Sequence, residues 1–355
     1  SFLNQKMEKY LLNFIKSFQP ETSHFLTIQL LKYLAFTINQ KKDDPMLSTS
    51  IAGLKINNPI GLAAGFDKNA EVINAMSRIG FGFIECGTTT IKPQYGNPKP
   101  RIFRLEEDNA LINRLGFNNK GIDNFLLNFK KRKKENSIAG INIGPNKDSD
   151  NFIKDYITLF EKTYSDGDYI TINLSSPNTE GLREIQKIES LNTLTTELKI
   201  IKNSKTYKKN IFLKIDPDST ERDYDDIINI AYKNNIDGLI ISNTSTERPS
   251  SLTSRFCLES GGLSGKPLRD KSNEALRLIA DKTKGEISLI GVGGISNAED
   301  VYQKIKLGAS AVQLYTALTF EGSRLIKNIK RDLVKFLKQD NFENIEQAVR
   351  SEIKN

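Results

Sequence analysis

Eight short apolar runs, each separated from the next by a stretch of helical length, constrain this chain more than any other feature. They are Ile60–Ala64, Phe81–Cys86, Ala139–Ile143, Tyr169–Leu174, Ile211–Ile215, Gly238–Ser242, Ser288–Val292 and Ala311–Tyr315. A strand that is apolar throughout is buried on both faces, and a helix-sized connection to the next such strand is the crossover that parallel pairing requires. Eight such units predict an α/β fold of the (β/α)8, TIM-barrel type, closed rather than open and doubly wound. Most runs end in Gly, Asn, Ser, Thr or Lys, as in Ala64-Gly-Phe-Asp-Lys68, Asn142-Ile-Gly144, Asn173, Lys214 and Ser242-Asn-Thr244. Polar groups therefore gather at one rim, the C-terminal rim where barrels of this kind carry their sites.

The remaining composition narrows what that rim can do. There is one histidine, His24, and there are two cysteines, Cys86 and Cys257, without ligand spacing. A disulfide framework and a metal site are not expected, and Ser-His or Cys-His nucleophilic chemistry is excluded unless His24 takes part. Cys86, at a strand end, is expected to be a small buried hydrophobe. No stretch reaches the roughly 20 apolar residues that a spanning helix needs. The chain opens on Ser1 rather than Met, which leaves open a processed or missing upstream segment. The net charge of +8 is compatible with an anionic surface or substrate. Its densest run, Lys130-Lys-Arg-Lys-Lys134, has no interleaved aromatics and is expected at the polar end of a surface helix. Nucleic acid is not an expected partner.

Before the first strand the pattern differs. Leu11, Phe14, Ile15 and Phe18, then Leu26, Leu30, Tyr33 and Leu34, fall at helical spacing around a break at Gln19-Pro-Glu-Thr-Ser23. A two-helix amphipathic cap over residues 1–42 is expected, with a barrel over 43–355. Two long connections, 89–137 and 245–286, are expected to cover the rim.

Gly291-Val-Gly-Gly-Ile295 after the seventh run, followed by Gln313-Leu-Tyr-Thr316, predicts a phosphate site, because glycine lets backbone amides approach an anion. Leu263-Ser-Gly-Lys-Pro267 adds a further glycine turn. No strand–Gly-x-Gly-x-x-Gly–helix unit occurs, which disfavours a nicotinamide cofactor. A flavin with a phosphate tail fits better, with Asn113, Asn142, Asn173, Lys68 and Lys214 as ring partners and a lysine stabilising the reduced, anionic ring.

At this point the motifs become specific. NLSSPNTEGLR (173–183), GLAAGFDKNAE (61–71), KPRIFRL (99–105), INRLGFNNKG (112–121), GLSGKPL (262–268) and GASAVQLYTALTF (308–320) closely resemble the dihydroorotate dehydrogenase family over about residues 20–322. The cytosolic class of that family has Cys where this chain has Ser176, so the resemblance implies the membrane-associated, quinone-using class. It implies one FMN per chain, ubiquinone as acceptor in pyrimidine synthesis, and Ser176 as the base that removes the C5 proton of dihydroorotate while hydride leaves C6. Thr179 and Phe117 are implied as its helpers. Lys68, Asn113, Phe117, Asn173, Asn178, Asn243 and Thr244 are implied on the substrate side. Ala63, Ala64, Gly65, Thr88, Asn142, Asn173, Lys214, Ser242, Gly265, Gly294, Tyr315 and Thr316 are implied on the flavin side. The N-terminal helices resemble that class's quinone tunnel, with His24 and Arg104 lining it. A monomer peripheral to an inner membrane is implied, bacterial or mitochondrial. Two departures stand out: Pro145 where the family usually has lysine, and Asp216 where it usually has alanine, the latter expected to lower the flavin potential or pair with a nearby base.

Two other functions remain to be distinguished. A flavin barrel that reduces uridine in RNA needs a general acid, usually Cys, on a rim loop, and neither cysteine sits in such a motif. A membrane-surface flavoprotein without catalysis would use the basic charge and the N-terminal helices for association alone.

Overall fold

A computed structural model of the chain describes residues 10–34, 42–133 and 138–353. All eight apolar runs are strands: β1 (Ile60–Leu62), β2 (Phe83–Thr89), β3 (Ile138–Ile143), β4 (Tyr169–Asn173), β5 (Asn210–Ile215), β6 (Gly238–Ile241), β7 (Ser288–Val292) and β8 (Ala311–Leu314). They close in chain order into one parallel barrel, β8 pairing with β1 through Val312↔Ile60. Helices follow each strand on the outside. The helix Glu221–Lys233 shows why they form: Thr220 and Asp223 make a reciprocal capping box, and Tyr224, Ile227, Ile228 and Ala231 recur on the buried face.

The barrel interior changes character along its axis. At the N-terminal end Phe83, Tyr169, Phe212, Ile240 and Ile290 fill it, joined by Ile51 and Ile56 of a short antiparallel hairpin, Thr49–Ile51 with Leu54–Ile56. The rings of Phe83, Tyr169 and Phe212 occupy the space where Gly61, Gly140 and Gly238 have no side chain. Toward the C-terminal end the buried interior turns polar, with Glu85, Asn142, Thr171, Lys214 and Gln313. One end is thus sealed by hydrocarbon, and the other is built for chemistry.

The two long connections do more than cover the rim. Ile102–Leu105 and Ala110–Asn113 from the first pair with Gly262–Gly265 from the second in a three-stranded antiparallel sheet above it. At the N-terminus, residues 10–16 are helical and a second helix spans Pro20–Leu34. Ile28 of that helix joins the main core. Arg101 grips Glu21 through two bonds of 3.1 and 2.6 Å, and Lys32 pairs with Glu71 at 2.6 Å. Among the described residues no helix is long and apolar enough to cross a membrane.

The basic run begins at the C-cap of the helix Gly121–Phe129, as expected, with Lys130, Lys131 and Lys133 exposed. Arg132 departs from that pattern: it is buried, forking onto Asp168 at 2.7 and 3.1 Å above the Phe129 ring. Lys134 lies outside the described residues.

Candidate active site

A cavity of about 1160 Å³, its open mouth included, occupies the C-terminal rim. Each barrel strand contributes to its neighbourhood through residues at or just past its end, so the side chains converge although they are far apart in sequence. Ala63, Ala64, Gly65 and Lys68 follow β1, and Thr88 ends β2. Asn173 and Ser176 come from β4 and its loop, Lys214 from β5, and Ser242, Asn243 and Thr244 from the turn after β6. Gly294 follows β7, while Tyr315 and Thr316 follow β8. The covering sheet and the loops beside it add Asn113, Phe117, Asn178 and Gly265.

Asn142 is the exception among the expected residues. It is fully buried and does not line the cavity: Nδ2 donates to Glu85 Oε1 (2.7 Å) and Oδ1 accepts from the Thr88 hydroxyl (2.6 Å). The chain of bonds continues around the rim. Asn173 Nδ2 donates to Thr88 Oγ1 (3.0 Å), and Asn243 Nδ2 donates to Asn173 Oδ1 (3.0 Å). Glu85, which also accepts from Tyr169, Thr171 and Gln313, terminates this chain and fixes the direction of every amide in it.

The two adjacent serines separate cleanly. Ser175 turns to the barrel wall, donating to Lys214 O (2.8 Å) and accepting from Asn243 Nδ2 (3.0 Å), and does not line the cavity. Ser176 does line it, is buried, and has the Asn178 backbone N–H 3.4 Å from its Oγ. Asn178 Nδ2 reaches Asn113 Oδ1 at 3.2 Å, leaving the Asn113 side-chain N–H groups and the Asn178 side-chain oxygen to a ligand. Thr179, three residues on, is buried, and its Oγ1 has no hydrogen-bond partner among the described residues. Phe117 enters the cavity wall with left-handed backbone, φ 53.

Two lysines bring positive charge. Burial pushes Lys68 down to about 8, opposed by Glu21 and Asp67 and reinforced by Arg101, and its Nζ rests on Gly65 O (2.8 Å). Burial also lowers Lys214, which Glu85 partly offsets. Ser264, Gly293 and Gln313 stand in the motifs that predict a phosphate site, and although the sequence assigns none of them a role of its own, all three line the cavity. The signal for Gln313 was available, as an amide in the middle of an apolar strand. The two departures lie elsewhere. Asp216 does not reach the cavity: its carboxylate accepts from the Asp218 N–H (2.7 Å), the Ser219 hydroxyl (3.2 Å) and the Gln186 amide, which corrects the expectation that it acts on a flavin or a base. Pro145 is also absent from the lining.

A second, mostly apolar cavity of about 1090 Å³ lies between the N-terminal helices and the barrel. His24 and Arg104 both line it, with Leu11, Ile15, Thr27 and Leu30. Ile102, Leu111 and Tyr315 line both cavities and so form the wall between them. His24 meets Phe66 edge-on at 5.2 Å, and Phe66 meets Tyr315 at 5.5 Å. Burial, helped by the Lys68 ammonium, pushes His24 down to about 3, so the imidazole is neutral at ordinary pH.

With that geometry in view, residues 46–337 match the family model for dihydroorotate dehydrogenase. The chain belongs to the dihydroorotate dehydrogenase family. Its relatives include the dihydroorotate dehydrogenase (quinone) of Rhodospirillum rubrum, 43% identical over 332 residues, 93% of this chain and 90% of that one. That of Bartonella tribocorum is 45% identical over 333 residues, 92% and 91% of the two chains. Among solved structures, dihydroorotate dehydrogenase of Eimeria tenella in complex with ferulenol superposes with a TM-score of 0.90 at 37% identity, covering 95% of this chain and 96% of that one. The ligand-free form gives 0.88, with 93% and 99% covered. The family is flavin-dependent in general.

Proposed function

We propose that this chain oxidises (S)-dihydroorotate to orotate with a bound FMN and passes the electrons to a quinone, ubiquinone in the first instance, in the de novo synthesis of pyrimidines. The observation that carries this is the placement of Ser176 in a rim cavity where Asn113, Asn178, Asn173, Asn243 and Lys68 converge. A carboxylated pyrimidine needs amide donors and acceptors around its ring and a cation for its carboxylate, and the lining holds four asparagines and Lys68.

The residues also fit the flavin. The buried Gln313 Oε1 has no partner, and the Lys214 ammonium makes no hydrogen bond among the described residues, so an acceptor and a charged donor face the cavity together. Gly265, Gly293, Gly294 and Thr316 line its phosphate end. Bound there, the flavin supplies the acceptor for the hydride from C6 and the route for two electrons to the quinone. Ser176 takes the C5 proton. A hydroxyl is a weak base in water, so its burial, and the Thr179 hydroxyl that is unpartnered among the described residues, bear on its activation. The N-terminal helices, with His24 and Arg104, form the quinone cavity and the surface presented to the membrane.

The decisive experiment is anaerobic mixing of the yellow protein with dihydroorotate: the flavin should bleach, then recover its colour on addition of a ubiquinone analogue. Bound FMN that stays oxidised with dihydroorotate would sink the proposal. Two further outcomes are expected. Gly294 has φ +73, and a Cβ there would run into the backbone of Arg269, so Gly294→Val should displace the phosphate loop and yield protein purified largely without flavin. Full flavin content in that variant would move the phosphate elsewhere. Lys68, at about 8, carries its charge below that pH and loses it above, so kcat/KM for dihydroorotate should fall as pH rises through 8. Lys68→Met should lower kcat/KM and remove this limb; an unchanged limb would assign it to another group.

A further inference from the structure

Arg183 lines neither cavity, yet its guanidinium holds together the loops that do. Nε donates to Ser175 O (3.2 Å), Nη1 to Asp218 Oδ2 (3.0 Å) and Nη2 to Thr244 O (3.1 Å). These acceptors stand in the loops after β4, β5 and β6 respectively. Ser175 O belongs to the peptide plane shared with Ser176, so fixing that oxygen fixes where the Ser176 backbone begins. Thr244 O does the same for a substrate-side residue.

Asp218 extends the grip. It accepts from the Ser245 hydroxyl, from the Thr246 N–H (2.8 Å) and from the Thr246 hydroxyl (3.1 Å), with Lys271 at 3.4 Å. Burial opposes its charge, but Ser245, Thr246 and Arg183 together hold it below the usual carboxylate range. A pair with so many bonds to three separate loops of the rim is more than a surface ion pair, whose contribution is about 0–1 kcal/mol.

We propose that Arg183 and Asp218 are positioning residues that lock the Ser176 loop to the Asn243-Thr244 turn, so that the proton-removing hydroxyl and the substrate-binding amides keep one fixed separation. This rests on Ser176 being the base. Only a planar fork with several donors serves three acceptors in three directions, which is why lysine is a poor substitute. Loss of the fork frees the loop by about an ångström, and misplacement on that scale costs on the order of 100-fold in rate.

The test uses full-length holoenzyme. Arg183→Ala should keep its flavin while the limiting rate of anaerobic bleaching by dihydroorotate falls about 100-fold, with substrate affinity changed far less. Added guanidinium should restore part of that rate. Arg183→Lys should fall between the two, and Asp218→Asn, which preserves shape, should lose rate in the same step if Arg183→Ala does not fold. Wild-type bleaching with an unimpaired Arg183→Ala rate overturns the clamp alone. So does a parallel loss of flavin and thermal stability in Arg183→Ala, Arg183→Lys and Asp218→Asn, without rescue, because that marks a structural role. A wild-type protein that does not bleach overturns the proposed function instead.

Discussion

Ser176→Ala is expected to leave FMN bound and to slow bleaching by dihydroorotate by about 10²–10⁴-fold, the span that a positioned general base contributes. All the flavin-side residues but Asn173 lie on other strands, and among the described residues the Ser176 hydroxyl has one long bond, from the Asn178 N–H at 3.4 Å, so its removal leaves the cavity wall standing. Reoxidation of chemically reduced flavin by a quinone should be unchanged, because that half-reaction takes no proton from C5. Ser175→Ala is the control for position. Its hydroxyl holds Lys214 O and the Asn243 amide, so its loss should appear as lower stability and altered flavin binding rather than as a selective loss of proton removal. If Ser176→Ala bleached at the wild-type rate with full flavin content, another group would be the base.

How much of this was legible beforehand follows from what each feature needs. The barrel strands announce themselves because burial on both faces makes each one rich in apolar and β-branched residues, as in Ile138–Ile143 and Tyr169–Asn173. The rim residues follow, because a strand's end fixes where its last polar side chain points. Pairing between Ala110–Asn113 and Gly262–Gly265 left no such mark, since each segment is only four residues long and its partner lies about 150 residues away. Asn142 looks like every other strand-end amide. Only its neighbours Glu85 and Thr88, both on β2, show that it is held by bonds to the strand beside it. Asp216 misled for a related reason. It stands two residues after an inward-facing lysine, but the strand ends at Ile215, and beyond that point alternation no longer dictates direction. The carboxylate instead turns back to satisfy the N–H of Asp218 and the hydroxyl of Ser219. Arg183 sat in plain view within a matched motif, but its three acceptors belong to three different loops and become neighbours only when the barrel closes.

Blocking the second cavity should separate the two half-reactions. Removing the N-terminal helices altogether is a poor way to do so, because Ile28 packs into the main core and Glu21 holds Arg101, the residue just before the strand Ile102–Leu105 of the covering sheet. Thr27 offers a cleaner handle. It lines the second cavity but not the first, and its hydroxyl bonds only to Ser23 O within its own helix (2.8 Å). Thr27→Trp places an indole in space otherwise available to a quinone ring. Forfeiting about 3 kcal/mol of apolar burial corresponds to roughly 100-fold in quinone affinity. Bleaching by dihydroorotate should stay within about twofold of wild type, because the wall of Ile102, Leu111 and Tyr315 stands between the indole and the flavin cavity. Turnover with a soluble acceptor small enough to reach the first cavity should survive, whereas turnover with a ubiquinone analogue should collapse. Since His24 is neutral down to about pH 3, the defect should not vary with pH across the neutral range. Equal losses in both half-reactions would mean that the helices support the barrel instead of the acceptor, and an undiminished rate with the quinone analogue would place its route elsewhere.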